Sequence, residues 1–302
     1  MKALEITNLI KKFGELEVLK KINLSIESWD FFALLWHNWA WKTTTIWIVT
    51  DLVYKTSWKI KIFWIDVDIE FNKAKKLIWI VPQEFNFDIF AKVIDVVITQ
   101  AWYYGVPKKI ALERAEKYFK KLWLWEKRDV EARQLSGWMK RRLMIVRALI
   151  HEPKLLILDE PTAGVDVELR TTMWEFIKEL NQNWTTILLT THYLEEAEAL
   201  CNKIAILSKW EIIENTTMDD ILTKLEEENI IFDTNDKIIN LPQELIKKYK
   251  AKKIWEKNIE LTILKKDKIN DIFKIFDDND IEIISLRNKS NRLEQLFIKL
   301  TK

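Results

Sequence analysis

Two carboxylates, Asp159 and Glu160, follow the apolar run Leu155-Leu156-Ile157-Leu158. A run without polar alternation reads as a strand buried on both faces of a parallel sheet. Acids at its C-terminal end stand where one can hold a divalent cation through water and the other can take a proton from an attacking water. Paired acids in that place also occur as a plain helix cap. Upstream, the apolar run 31–35 leads into Trp36-His37-Asn38-Trp39-Ala40-Trp41-Lys42-Thr43-Thr44, and a helix is expected over 43–53. A strand, a tight loop and Lys-Thr opening a helix make the frame of a phosphate-binding loop, G-x-x-x-x-G-K-[ST]. In that frame residues 36–44 wrap the phosphates, Lys42 reaches the β- and γ-phosphates, and Thr43 ligates Mg²⁺. Both required glycines are replaced, by Trp36 and Trp41. Glycine is needed there for positive φ and close backbone approach, and an indole would fill the space of the phosphates.

Composition bears on this contradiction. The chain has 4 Gly and 16 Trp in 302 residues. Glycine ordinarily makes up roughly 7% of a protein; Gly and Trp together make up about 6.6% of this chain. Several Trp also fall where polar clusters between apolar runs signal turns: 27–30, 55–59, 181–185 and 208–211. Most Trp therefore read as glycines, through a UGA codon that the source reads as Gly. Lys outnumbers Arg 39 to 9, which suits an AT-rich genome. Trp174, in mid-helix, and Trp125 read as genuine. The alternative is a degenerate, Trp-rich chain whose phosphate site is dead.

The elements that must position these residues form an α/β pattern. Residues 3–27 alternate as antiparallel strands with a turn at Phe13-Gly14, and 59–63 and 77–81 read as further strands. Residues 85–150 turn helical (90–104, 108–122 and 136–151), an insertion within the α/β chain. Strands at 154–159, 185–191 and 203–207 then alternate with helices at 165–181 and 194–200, which predicts a doubly wound core. A charged helix is expected at 219–227. Beyond it, short strands (230–232, 259–264, 281–286) and amphipathic helices (269–276, 293–300) read as a small α+β appendage without a catalytic motif. The division is 1–225 and 226–302.

In chain order, Gln83 follows a strand, Leu135-Ser136-Gly137-Trp138 opens a helix, Asp166 follows Ala163-Gly164-Val165, and His192 follows a strand. Each alone reads as an ordinary core or surface residue. Together with residues 36–44 and Asp159-Glu160, their order and spacing resemble the ATP-binding subunit of ABC transporters over residues 1–225. Leu135-Ser136-Gly137-Trp138 is similar to the family signature LSGG with its last Gly written as Trp. Residues 161–166 and 189–198 look most like the ABC-2-type exporters of drugs and polysaccharides, and the appendage looks more loosely like their C-terminal extension.

The resemblance implies a P-loop NTPase fold with an antiparallel β subdomain, and ATP and Mg²⁺ as ligands. It implies that Phe13 stacks on adenine. Gln83 would contact Mg²⁺ or the lytic water, Asp159 would hold Mg²⁺, and Glu160 would be the general base, with His192 holding the γ-phosphate and water in line. Ser136 and Gly137 would bind the γ-phosphate of ATP held by a second copy. That split implies a homodimer closing on two ATP molecules and an integral membrane permease as partner, with this chain peripheral on the cytoplasmic face. The permease would dock near 85–104, where Phe85, Phe87, Phe90, Tyr103 and Tyr104 read either as contacts or as insertion core. His37 and His151 are assigned no chemistry.

Other function classes are disfavoured. Net charge is +2 with mixed signs, so no nucleic-acid footprint stands out. The single Cys201 excludes internal disulfides and suits a reducing compartment. No apolar run is long enough to span a bilayer, and no secretory leader is read at the start. A soluble ATPase of the same fold, acting on ribosomes or DNA, is the remaining alternative; the single P-loop and the lack of a basic patch argue against it.

Overall fold

A computed structural model describes residues 1–13, 16–36, 57–209, 211–238 and 240–301. The expected helix over 43–53 and the loop residues His37, Asn38, Trp39, Ala40, Trp41, Lys42, Thr43 and Thr44 lie outside the described residues. The chain divides into two compact units, Met1–Thr216 and Thr217–Lys302.

In the first unit β1 (Lys2–Phe13) and β2 (Leu16–Glu27) form an antiparallel hairpin, β3 (Phe31–Trp36) opens a second sheet, and β4 (Ser57–Ile62) and β5 (Ile65–Asp66) complete the first in the order β2-β1-β4-β5. Then come α1 (Phe71–Leu77), β6 (Ile78–Val81), α2 (Val93–Tyr103), α3 (Lys108–Lys121), α4 (Gly137–Leu149), β7 (Leu155–Asp159), α5 (Val167–Gln182), β8 (Thr186–Thr190), α6 (Leu194–Leu200), β9 (Lys203–Ser208) and β10 (Glu211–Thr217). The second sheet has the order β10-β9-β3-β8-β7-β6 and is parallel from β9 to β6. Every residue of β7 and β8 is buried, as strands covered on both faces require. One face meets the antiparallel sheet, where Leu4, Ile6, Leu24 and Ile26 pack with Phe32, Leu34, Ile157 and Leu188.

The second unit holds α7 (Met218–Thr223), β11 (Glu227–Thr234), α8 (Gln243–Tyr249), β12 (Lys252–Trp255), β13 (Asn258–Leu264), α9 (Ile269–Asp277), β14 (Ile283–Asn288) and α10 (Arg292–Thr301). Its antiparallel sheet, β12-β13-β11-β14, packs Phe232, Ile259 and Leu261 against Leu245, Tyr249, Ile272 and Phe276 from α8 and α9.

Several elements depart from expectation. α2 begins at Val93, not at 90, because Asp88 Oδ1 accepts the Phe90 N–H (2.9 Å) and the Ala91 carbonyl accepts from Ala132 (2.9 Å), which holds this stretch out of a helix. The helix expected at 219–227 stops at Thr223, since Glu227 pairs with Leu264 in the sheet. Trp58 lies within β4, not in a turn. Short or irregular elements such as α1, α8 and β12 were not expected.

Among the described residues four Trp adopt left-handed backbone: Trp29 (φ 71°), Trp64 (φ 69°), Trp123 (φ 52°) and Trp184 (φ 69°). Phe63 and Trp64 form the two-residue loop between paired Ile62 and Ile65, both with positive φ, as in the type I′ turns that favour Asn-Gly. Trp123 and Trp184 follow helix ends, and the next residues, Leu124 and Thr185, donate back to Phe119 (2.8 Å) and Leu180 (3.3 Å). This is the helix-ending motif that favours glycine. The chain has glycine in the same motif after α2, where Gly105 has φ 70° and Val106 donates to Ala101 (3.0 Å). Lys250 and Asp280 show that other residues also enter this region here. A second group, Trp36, Trp79 and Trp138, buries an indole N–H that has no acceptor among the described residues. Trp174 differs: its indole N–H donates to Glu196 (3.0 Å). Trp125 lies against the Arg128 guanidinium at 4.4 Å. Left-handed backbone costs a residue with a side chain roughly 1–2 kcal/mol. Trp64→Gly, at an exposed turn, is therefore expected to raise the free energy of denaturant unfolding by about 1 kcal/mol, whereas Trp174→Gly is expected to lower it by about 3 kcal/mol or more.

His151, just past α4, is packed between rings: Tyr104 stacks on it at 3.9 Å and Trp79 meets it edge-on at 5.4 Å. Burial pushes its pKa down to about 4; the Arg114 cation adds to the effect, and only the Ile78 backbone opposes it. The folded protein thus binds this proton less readily than the unfolded chain. Stability is full above the ordinary pKa of 6.5 and falls as the pH drops from there to about 4. Urea unfolding at pH 7 and at pH 4.5 is expected to differ by about 2 kcal/mol from this group alone, and His151→Phe should remove that component.

Candidate nucleotide site

The site forms at the carboxyl edge of the parallel strands, the usual place for ligands in open α/β sheets. Register brings its parts level. Asp159 pairs with Thr190 across β7 and β8, Leu34 pairs with Thr190 across β3 and β8, and Val81 pairs with Leu158 across β6 and β7. Asp159, Glu160, the 190–192 segment, the end of β3 and the Pro82-Gln83 exit therefore share one edge.

Asp159 and Thr190 are both buried, and the Thr190 hydroxyl donates to Asp159 Oδ1 (2.7 Å) and to the Leu158 carbonyl (3.3 Å). Glu160 is 2% exposed and has left-handed backbone (φ 52°). Its N–H donates to the Thr190 carbonyl (2.9 Å) and its carbonyl accepts from Ala163 (3.2 Å), which locks the turn. Strained backbone of this kind persists where the surroundings over-determine it, commonly at functional sites. Glu160 Oε2 meets His192 Nδ1 in a hydrogen bond. The imidazole stays 40% exposed at the surface of the site and lies against Tyr193 at 4.0 Å.

Gln83 is held through its backbone. Arg141 of α4 is 5% exposed and donates to the carbonyls of Pro82 (2.8 Å) and Gln83 (2.7 Å). Burial lowers the pKa of Arg141, and the charges of Asp159 and Glu160 pull it back up. Arg147, six residues further along the helix, donates to the Asn86 carbonyl (2.9 Å) and side chain, and burial lowers its pKa to about 10.

The signature residues stand apart from this cluster. Ser136 is exposed and caps α4 by accepting from the Met139 N–H (3.3 Å); Gly137 opens the helix, Leu135 is buried, and Trp138 lies 4.7 Å from the Arg142 guanidinium. Asp166 is likewise exposed and caps α5, accepting from the Leu169 N–H (3.0 Å). Trp36 ends β3 opposite Leu207. Phe13 ends β1 opposite Leu16, and its side chain lies outside the described residues. His37 and Lys42 to Thr44 follow β3 in sequence and are likewise not described.

Sequence reading missed Thr190, Arg141 and Arg147. Thr190 was visible only as a polar residue ending an apolar strand. The arginines were visible as cations in a helix that is otherwise buried from 141 to 149.

The "ABC transporter" family matches residues 19–163. A linearmycin resistance ATP-binding protein, LnrL, of Bacillus subtilis is 35% identical over 76% of this chain and 73% of its own length. A Nod factor export ATP-binding protein I of Cupriavidus metallidurans is 36% identical over 68% and 67%. The solved structure of an ATP-binding subunit of an ABC transporter superposes with a TM-score of 0.68 at 25% identity, covering 74% of this chain and 92% of that one. The chain belongs to the ABC transporter ATP-binding family, and its fold is that family's α/β ATPase cassette.

Removing Arg141 would leave two carbonyls at the Gln83 exit without their buried donor. Arg141→Ala is expected to destabilise the protein by about 2 kcal/mol and to speed amide exchange across 83–86, read by hydrogen exchange with mass spectrometry.

Proposed function

We propose that this chain is the ATP-hydrolysing subunit of an ABC-2-type exporter, and that Trp36, Trp39, Trp41 and Trp138 are glycines in the native protein. The observation that carries the reading is the Glu160–His192 contact beside the Asp159–Thr190 pair at one sheet edge. A nearly buried carboxylate held by a half-exposed imidazole suits a general base with its orienting partner. In this reading Glu160 takes the proton of the attacking water, and His192 holds the carboxylate while its exposed ring edge meets the γ-phosphate. Lys42 and the backbone of 36–44 neutralise and cradle the phosphates.

Among the described residues no group of three or more His, Cys, Asp or Glu forms a metal cage. Asp159, Thr43 and Gln83 supply the few oxygen ligands that suit an Mg²⁺ shared with substrate phosphates. Bound there, Mg²⁺ would offset phosphate charge. Phe13 would stack on adenine. The exposed Ser136 and Gly137, at the N-terminus of α4, suit the γ-phosphate of ATP on a second copy, with Asp166 exposed at the same kind of boundary. In this reading the ATP-binding domain runs over 1–225 and the appendage over 226–302, although the two compact units divide earlier, between Thr216 and Thr217.

In this reading a separate membrane permease takes up the motion, with this chain on the membrane's cytoplasmic face; no helix among the described residues is long and apolar enough to cross a membrane. A groove of about 330 Å³ lined by Phe71, Trp79, Asn86, Gln100, Tyr104 and Arg147 suits such a partner. Exposed Phe85, Phe90 and Tyr103 add apolar surface, while Tyr104 packs on His151, and Phe87 lies 6.1 Å from Phe85. Export is supported by the names of the relatives.

The glycine reading is supported by the left-handed Trp residues and by the indoles of Trp36 and Trp138, which have no partner among the described residues. The codons at 36, 39, 41 and 138 test it directly, UGA being expected; UGG would leave a pseudo-ATPase that keeps the fold. Calorimetry on both forms tests the physical argument. Protein with Gly at the four positions is expected to bind MgATP at least about 100-fold more tightly than the Trp form, on the order of 3 kcal/mol. Equal, tight binding by the Trp form would refute it.

A further inference from the structure

Glu196 is completely buried in α6, and no step above uses it. Its Oε1 accepts from the Thr162 hydroxyl (2.9 Å) and from the Trp174 indole N–H (3.0 Å). The donors come from two separate segments. Thr162 lies two residues after Glu160, in the turn that holds its left-handed backbone. Glu196 itself lies in the first turn of α6, four residues after His192. Trp174 belongs to α5, the helix that Asp166 caps.

An apolar residue would fill this core position without the penalty of burying an ionisable group. Burial raises the pKa of Glu196; hydrogen bonds to the carboxyl oppose the rise, and the neighbouring Glu160 charge adds to it. Oε2 has no partner among the described residues. What the carboxyl does instead is join segments. The turn after Glu160 and the start of α6 after His192 are separate in sequence, and the Glu160–His192 contact depends on their relative placement.

We propose that Glu196 is a positioning residue: through Thr162 and Trp174 it locks the turn after Glu160 to the start of α6, the helix that follows His192. This rests on the ATPase reading. In protein with Gly at 36, 39, 41 and 138, Glu196→Ala is expected to lower kcat on the order of 10- to 100-fold, through misplacement of reacting groups. KM for ATP should stay within about twofold, since the binding residues are untouched. Glu196→Gln should retain most of kcat, because its amide oxygen can replace Oε1. Thr162→Val, which keeps the shape and loses one donor, should show a smaller loss of kcat and covers the case in which Glu196→Ala fails to fold.

Hydrogen exchange gives a readout independent of hydrolysis. The Ala163 and Val165 amides, which donate to Glu160 and Thr162, should exchange faster in Glu196→Ala, in the Trp form as well. A parent with no hydrolysis but faster exchange in the variant would overturn the ATPase reading and support the clamp. Parental kcat and parental exchange in both Glu196→Ala and Thr162→Val would overturn the clamp. Equal kcat losses in Glu196→Gln and Glu196→Ala, each with a collapsed Tm, would reduce Glu196 to a core residue and also overturn it.

Discussion

The parallel register of β7 against β8 is the constraint on which the site depends. Asp159 stands opposite Thr190, so the buried carboxylate has a hydroxyl donor at 2.7 Å. The Glu160 N–H completes that pairing by donating to the Thr190 carbonyl, and there the chain turns away through left-handed backbone at Glu160. That kink and the paired strand end set the Glu160–His192 contact. A slip of one residue would exchange the two faces of each strand and take the acids away from the hydroxyl and the imidazole together.

Around this edge the chain adds ties of long sequence separation. Arg141 anchors the exit of β6, and Arg147 anchors Asn86 behind it. Both come from α4, which begins with Ser136 and Gly137. One rigid helix therefore carries the signature at its exposed end and grips the Gln83 segment along its buried length. Glu196 makes a comparable tie on the other side, between the Glu160 turn and the helix that follows His192.

Much of this was legible in the sequence because the signals were local. Continuous apolar runs marked β3, β7 and β8, and α6 was expected with the bounds it has. The acids, Gln83, Ser136, Asp166 and His192 were legible as residues placed at element ends. What was not legible depends on tertiary contacts. The α2 start is set by bonds to residues 131–133, the end of α7 by sheet pairing, and the partners of Asp159, Gln83 and Glu196 by residues tens of positions away. A buried arginine in a helix shows its charge in the sequence, but not the carbonyls it holds. The Trp positions are a different case. Their composition and turn contexts were visible, and the structure adds left-handed backbone at Trp29, Trp64, Trp123 and Trp184.

The most direct test of the account is single-turnover ATP hydrolysis by the glycine form, compared with its Glu160→Gln variant. The amide keeps the size of Glu160 but cannot take the proton of water. The account predicts that the variant still binds MgATP with parental affinity while its rate of hydrolysis falls by ~100-fold to 10,000-fold, the usual contribution of a general base. Hydrolysis at the parental rate would contradict it.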